Sequence, residues 1–181
     1  TGRVAAPERG QVDRRPRWLG GGYLSRRSGP RSQRARQLGV KRPIPDGARV
    51  LADTAPIIYV LEDNPRFATR FRWFFDGVDE GRYECVVSTV TIAELLVGPL
   101  KAARHDLVEI YRDALTTARG YEAVPLTVEI AQRAAEVRVM HNLKLPDAIQ
   151  VATALAADAK FLLTADRDFS SVQELQIIMG A

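Results

Sequence analysis

Asp53, Glu94, Asp147 and Asp166 each stand where the sequence reads as a strand ending or a helix beginning. Their settings are RVLADTAPIIYVLE, STVTIAELLVG, LKLPDAIQVATAL and FLLTADRDF. Ligand sites in α/β sheets lie beyond the carboxyl ends of the strands, so carboxylates placed repeatedly at that edge point to a divalent-metal site. Gathered like charges repel and raise one another's pKa unless a cation neutralises them. Hard oxygen ligands suit Mg²⁺ or Mn²⁺. One or two such ions can activate a water and stabilise the leaving oxygen of a phosphodiester.

Each acid also has a simpler reading. Asp53 can be a helix N-cap ahead of Pro56. Glu94 falls opposite the apolar side formed by Ile92, Leu95 and Leu96, so it is either solvated or presented into a groove. Asp147 follows Pro146 in a first helical turn, where a negative charge is favourable. The rest of that helix is small and apolar, so a buried acid at its mouth needs a partner, a water or a cation. Gln150, nearby at helical spacing, can position substrate or solvent. Asp166 and Asp168 follow the FLLT run, and one of them is expected to cap the next helix. Thr164 can orient a neighbouring carboxylate or bond a metal-bound water. Lys144 and Arg167 flank two of the acids; as lone cations they read as solvated, and as a pair of sites they offer contacts to phosphates.

Other chemistries find little support. His105 and His141 have no Cys or His partner at zinc spacing and read as surface residues. Neither a GxxxxGK[ST] phosphate loop nor a GxSxG elbow is present. An Asp-nucleophile phosphatase wants a second Asp two residues after the first, where this chain has Ala55. A phosphoryl-accepting receiver wants a Lys after a late strand, where this chain has Arg167.

The elements that must position the acids alternate. Strands are expected at 49–52, 83–88, 121–126, 161–164 and 175–180. Helices are expected from Pro56, over 66–78, over 90–98 with a stop at Gly98-Pro99, and over 101–118, 127–141 and 146–158. Phe67, Phe71, Phe74 and Val78 make one core-facing stripe; Ile130, Ala134 and Val137 make another. Trp73 falls off the first stripe, and the stretch 67–75 is either core or an apolar partner surface. The order predicts one α/β domain, a three-layer α/β/α sandwich with a mainly parallel central sheet.

Charge separates this domain from what precedes it. Residues 1–48 hold 12 Lys+Arg against 3 Asp+Glu, whereas residues 49–181 hold 14 against 19. The chain's net charge of +4 therefore belongs to the leader, and the domain is acidic. The leader is rich in Arg, Gly, Pro and Ser, shows no sustained period, and is expected to be disordered. It reads as a nucleic-acid-binding arm, a transit-type leader, or translated upstream sequence from a misplaced start, since residue 1 is Thr. The single cysteine, Cys85, excludes an internal disulfide. No apolar run approaches the roughly 18 residues of a membrane span. A cytoplasmic setting is the expectation.

Taken in order, DTAPIIYVLE, STVTIAELLVGP, HNLKLPDAIQVATAL and LLTADRDF resemble the PIN-domain family, and within it the VapC-type toxins of bacterial toxin–antitoxin pairs. The likeness spans residues 49–181. It implies a metal-dependent endoribonuclease acting on RNA (tRNA among the candidates), with Mg²⁺ or Mn²⁺ as cofactor. It also implies a homodimer and a small antitoxin that blocks the acidic groove. Asp53, Glu94, Asp147 and Asp166 match the four acidic positions, Asp168 a frequent additional acid, and Thr54 and Thr164 positions that often carry a hydroxyl near the metal. One departure stands out: Ala55-Pro56 follow Thr54 where the family often has Asn or Ser. A PIN nuclease of RNA processing and an inactive PIN-like binding module are the alternative roles.

Overall fold

The computed structural model describes residues 44–180. Within them, β1 (Arg49–Ala52) leads into helices α1 (Thr54–Leu61) and α2 (Ala68–Asp79). Strand β2 (Glu84–Ser88) leads into α3 (Thr89–Lys101) and α4 (His105–Thr117). Strand β3 (Tyr121–Val124) leads into α5 (Val128–His141) and α6 (Leu145–Ala156). Strand β4 (Phe161–Leu163), a 3₁₀ turn (Arg167–Ser171) and β5 (Gln176–Ile178) follow. The five strands form one sheet in the order β3-β2-β1-β4-β5, and every pairing is parallel.

Side-chain alternation on the strands builds the three layers. Val50, Ala52, Cys85, Val87 and Leu163 face a core shared with Ile57, Phe71, Phe74, Leu95 and Leu115. Leu51, Val86 and Leu162 face the opposite core, with Ile130, Ala134, Val137, Val151 and Phe169. Buried on both faces, the central strands are apolar except at their ends (Arg49, Glu84 and Ser88), as suits a parallel sheet. Helix α6 is buried at every position from Ala148 to Ala154, so its small residues let it lie close against the sheet. Among the described residues, no helix is long and apolar enough to cross a membrane.

The topology creates the crevice. The chain runs outward from β1 through β2 to β3, then crosses to the other side of β1 for β4 and β5. Where the strand order reverses, the connections leave β1 and β4 in opposite directions, and a gap opens at their carboxyl ends.

Several boundaries differ from the sequence reading. Helix α3 runs through Pro99 to Lys101 instead of stopping at Gly98. A proline this close to a helix end forfeits one backbone bond, and Pro99 is buried. The stop comes at Ala103, which takes a left-handed φ of 52°. Strand β3 ends at Val124, two residues early. The leader boundary also shifts: Ile44 and Ala48 are buried in the first core, and the Gly47 N–H donates to the Arg82 carbonyl at 2.7 Å. One isoleucine between prolines carries no period, so composition alone assigned it to the leader. The rest of that leader, with its expected disorder, lies outside the described residues.

The aromatic stretch belongs to the core. Phe71, Phe74 and Phe75 are buried, and Trp73 packs edge-on against Phe74 and Tyr83. Gly77 makes this possible, since a Cβ there would lie 2.3 Å from the Tyr83 ring.

Beside this cluster, burial raises Asp76 to about 7, with the nearby charges of Asp79 and Glu80 adding to the shift and Arg82 opposing it. An acid with a raised folded pKa holds its proton more tightly when folded. Stability therefore falls as pH rises from about 4 to about 7, and the full penalty remains above that. Asp76→Asn removes the penalty. Its melting temperature by calorimetry is expected to exceed that of the unaltered chain at about pH 8, with the difference closing by about pH 4.

Candidate metal centre

Asp53 sits at the reversal point. It follows β1 and caps α1, with Oδ1 accepting from the Thr54 N–H at 2.7 Å. Its Oδ2 accepts from the Thr164 hydroxyl at 2.7 Å, across the gap from β1 to the end of β4. The Asp53 N–H in turn donates to the Leu163 carbonyl at 2.9 Å. The capping reading and the site reading are thus both satisfied by one side chain.

Asp166 follows β4 and caps the 3₁₀ turn, accepting from the Asp168 N–H at 2.9 Å. Its own N–H donates to the Thr164 hydroxyl oxygen at 3.0 Å. Asp168 is held by Lys144, whose Nζ lies 3.2 Å from its Oδ2. Lys144 is therefore engaged with an acid of the site instead of standing alone. Glu94 lies one turn and a half into α3, exposed, and about one turn along from the buried Thr91. The Thr54 hydroxyl donates to its Oε2.

Asp147 enters from α6, and its Oδ2 is buried with no hydrogen-bond partner. Burial is the largest cause of its raised pKa, followed by the charges of Asp53 and Asp166, with Lys144 pulling the other way. Asp53 is also raised, chiefly by burial, against the lowering effect of its bonds from Thr164 and Thr54; Glu94 and Asp166 add to the rise. Asp53 and Asp147 thus both feel the charge of neighbouring carboxylates.

Among the described residues, no three acids, histidines or cysteines converge into a finished ligand cage. Asp53 and Glu94 accept from the Thr164 and Thr54 hydroxyls, and Asp166 accepts from the Asp168 N–H. The donors nonetheless fit a hard divalent cation: all are oxygens, two are held at elevated pKa, and one buried oxygen has no partner.

Two buried residues support the site from behind. Gln150 Nε2 donates to Thr91 Oγ1 at 2.6 Å, and Thr91 Oγ1 lies 3.3 Å from Thr54 Oγ1. Thr54 has one hydroxyl hydrogen, and an ionised Glu94 takes it, so the Thr91 hydroxyl is left to donate to Thr54. A one-way chain results, from Gln150 through Thr91 and Thr54 to Glu94. The sequence marks Gln150 by spacing but gives Thr91 no signal beyond its place, four residues before Leu95, in a buried stripe. His141 departs from its expected surface position: its side chain is 8% exposed and lies 3.1 Å from Glu174.

An all-parallel α/β/α sandwich with carboxylates over its reversal point defines the class of protein. The chain belongs to the PIN domain family, whose sequence profile matches residues 50–175. Solved structures agree in fold. A toxin–antitoxin complex from Klebsiella pneumoniae is 25% identical, covers 71% of this chain and 95% of its own, and superposes with a TM-score of 0.55. VapBC2 from Rickettsia felis, bound to a promoter DNA fragment, is 16% identical over 72% of this chain and 97% of its own (TM-score 0.56). Mycobacterium tuberculosis VapC20, described as a sarcin-ricin loop cleaving toxin, is 16% identical over 70% and 98% (TM-score 0.55). No curated protein matches the chain at a significant level.

Thr91→Val keeps the shape of the buried chain but leaves the Gln150 donor without an acceptor. Urea unfolding is expected to show a loss of about 1–3 kcal/mol with an unchanged slope. Thr91→Ser, which keeps the hydroxyl, should recover most of it.

Proposed function

We propose that this chain is a divalent-metal-dependent endoribonuclease and the toxin of a toxin–antitoxin pair. The observation that carries the reading is a buried, unpartnered Asp147 oxygen beside the crevice between β1 and β4, where Asp147 and Asp53 both have raised pKa values and feel the charge of neighbouring acids. Membership of the PIN domain family supports it. So do neighbours described as toxin–antitoxin complexes and as a toxin that cleaves an RNA loop. The same neighbours support a small antitoxin as partner, and the family resemblance extends to a homodimer in the cytoplasm.

Asp53, Asp147 and Asp166 would hold Mg²⁺ or Mn²⁺, with Glu94 beside them and Asp168 as an auxiliary acid. When bound, the ion supplies Lewis-acid activation of water and neutralises charge on the scissile phosphate. The chain's own residues do the rest. Thr164 and the Thr54 N–H fix both oxygens of Asp53, so its orientation is set before substrate arrives. The Thr54 hydroxyl fixes Glu94. Asp147 keeps an oxygen without a donor, and its raised pKa suits it to accept a proton from the attacking water.

Incubation of the full chain with a total-RNA or tRNA pool tests the reading. Cleavage is expected with Mg²⁺ or Mn²⁺, is expected to stop with EDTA, and should fall by at least about 100-fold in Asp147→Asn. Folded, partner-free protein that cuts nothing under any metal would favour a binding module. Cutting that survives both EDTA and the substitution would place the activity elsewhere.

A further inference from the structure

The domain is acidic, yet the proposed substrate is a polyanion, so phosphate contacts made by the domain's own side chains need a local basic surface. Most arginines of the described domain cannot supply it. Arg49 is paired with Glu84 and Glu122, Arg72 with Asp63, Arg82 with Glu80, Arg104 with Asp106, Arg112 with Asp113, and Arg133 with Glu136. Lys144, which flanks Asp147, is taken by Asp168.

Among the described residues Arg66, Arg70, Arg119, Arg138 and Arg167 form no such pair, and two of these five share a cleft. Arg70 on α2 and Arg167 on the 3₁₀ turn line one open cleft of about 540 Å³, together with Ala165, Ser170, Ile177 and Met179. Both are exposed. Arg70 donates to a neutral acceptor, the Met179 carbonyl, at 3.3 Å, and neither guanidinium forms a salt bridge to a carboxylate among the described residues. Two cations from separate elements that line one cleft repel until an anion lies between them. Guanidinium forks match phosphate oxygens, and the Ser170 hydroxyl adds a donor.

The position is as informative as the charge. Ala165 separates Thr164, the Asp53 anchor, from Asp166, and Arg167 follows directly. The cleft thus opens within one residue of the acidic crevice, on its α2–β5 side. We infer that the Arg70–Arg167 cleft is a phosphate subsite for the backbone of a single-stranded RNA flanking the scissile bond. Resting on the nuclease reading, this assigns the strand a path: from the carboxylates across the end of β4 toward α2 and β5. The 3₁₀ turn then serves both sites, with Asp166 facing the acidic side and Arg167 lining the basic one.

Fluorescence anisotropy of a labelled single-stranded RNA oligonucleotide on the full chain tests this, titrated over a range of KCl concentrations. Asp147→Asn serves as the parent so that the RNA stays intact. Adding Arg70→Ala and Arg167→Ala is expected to weaken binding by about tenfold. The same pair should flatten the slope of log K against log[salt] by about 0.7 for each lost contact. Arg70→Lys with Arg167→Lys should recover most of the slope but less of the affinity, because the fork is lost. Arg138→Ala, exposed on α5, is the control for general charge loss and should do less than the cleft variants. Inorganic phosphate should compete more weakly with the Ala pair than with its parent. Unchanged affinity and slope in the Ala pair, with folding verified by thermal melts, would overturn the inference. An equal effect from Arg138→Ala would reduce it to nonspecific electrostatics. The nuclease reading fails separately, if the unaltered chain does not cleave RNA with metal.

Discussion

Five parallel strands deliver all their carboxyl ends to one edge, and the acids sit there. That placement is the constraint on which the rest of the molecule depends. Asp53 and Asp147 are both pushed toward protonation, by burial first and by neighbouring carboxylates second. A fold built only for stability would not hold charges this way, since unneutralised like charges weaken the compact state. The arrangement is held by the apolar cores on both faces of the sheet and by the Thr164 and Thr54 hydroxyls placed against Asp53 and Glu94.

Thr164 reaches Asp53 from the end of β4, and Thr54 reaches Glu94 from the start of α1. Behind Thr54, Thr91 and Gln150 continue the chain into the interior, where both are almost fully buried. A neutral donor can orient a carboxylate without forming the ion pair that a lysine or arginine would make. The acids therefore stay available to a cation, while Lys144 is confined to Asp168 at the rim. In the proposed nuclease, this division separates groups that hold the ion from groups that meet the substrate.

Much of the architecture was legible because it rests on periodicity. The stripe of Ile130, Ala134 and Val137 is the buried face of α5, and the apolar run after Pro146 is α6. Asp53, Asp147 and Asp166 stand as expected, each following a strand or opening a helix, and the parallel topology brings the ends of β1 and β4 together; Glu94, expected at a helix start, instead lies one and a half turns into α3. Other features were not legible. Pro99 looked like a stop, but burial overrides local propensity near a helix end. Trp73 lies off the helical stripe, yet Gly77 lets Tyr83 close over the helix and the indole packs against its ring. The Arg70–Arg167 cleft joins residues almost a hundred positions apart, which no spacing rule connects. Thr91 was invisible for a similar reason: its role depends on Gln150, 59 residues away.

The central claim is that these carboxylates form one cation site. Isothermal titration of Mn²⁺ into the metal-free full chain at neutral pH, beside Asp53→Asn, addresses it without reference to any substrate. The account predicts saturable binding by the unaltered chain and its loss in the variant, because Asp53 lies at the meeting point of β1 and β4. No binding by the folded chain, or binding that Asp53→Asn leaves unchanged, would contradict it.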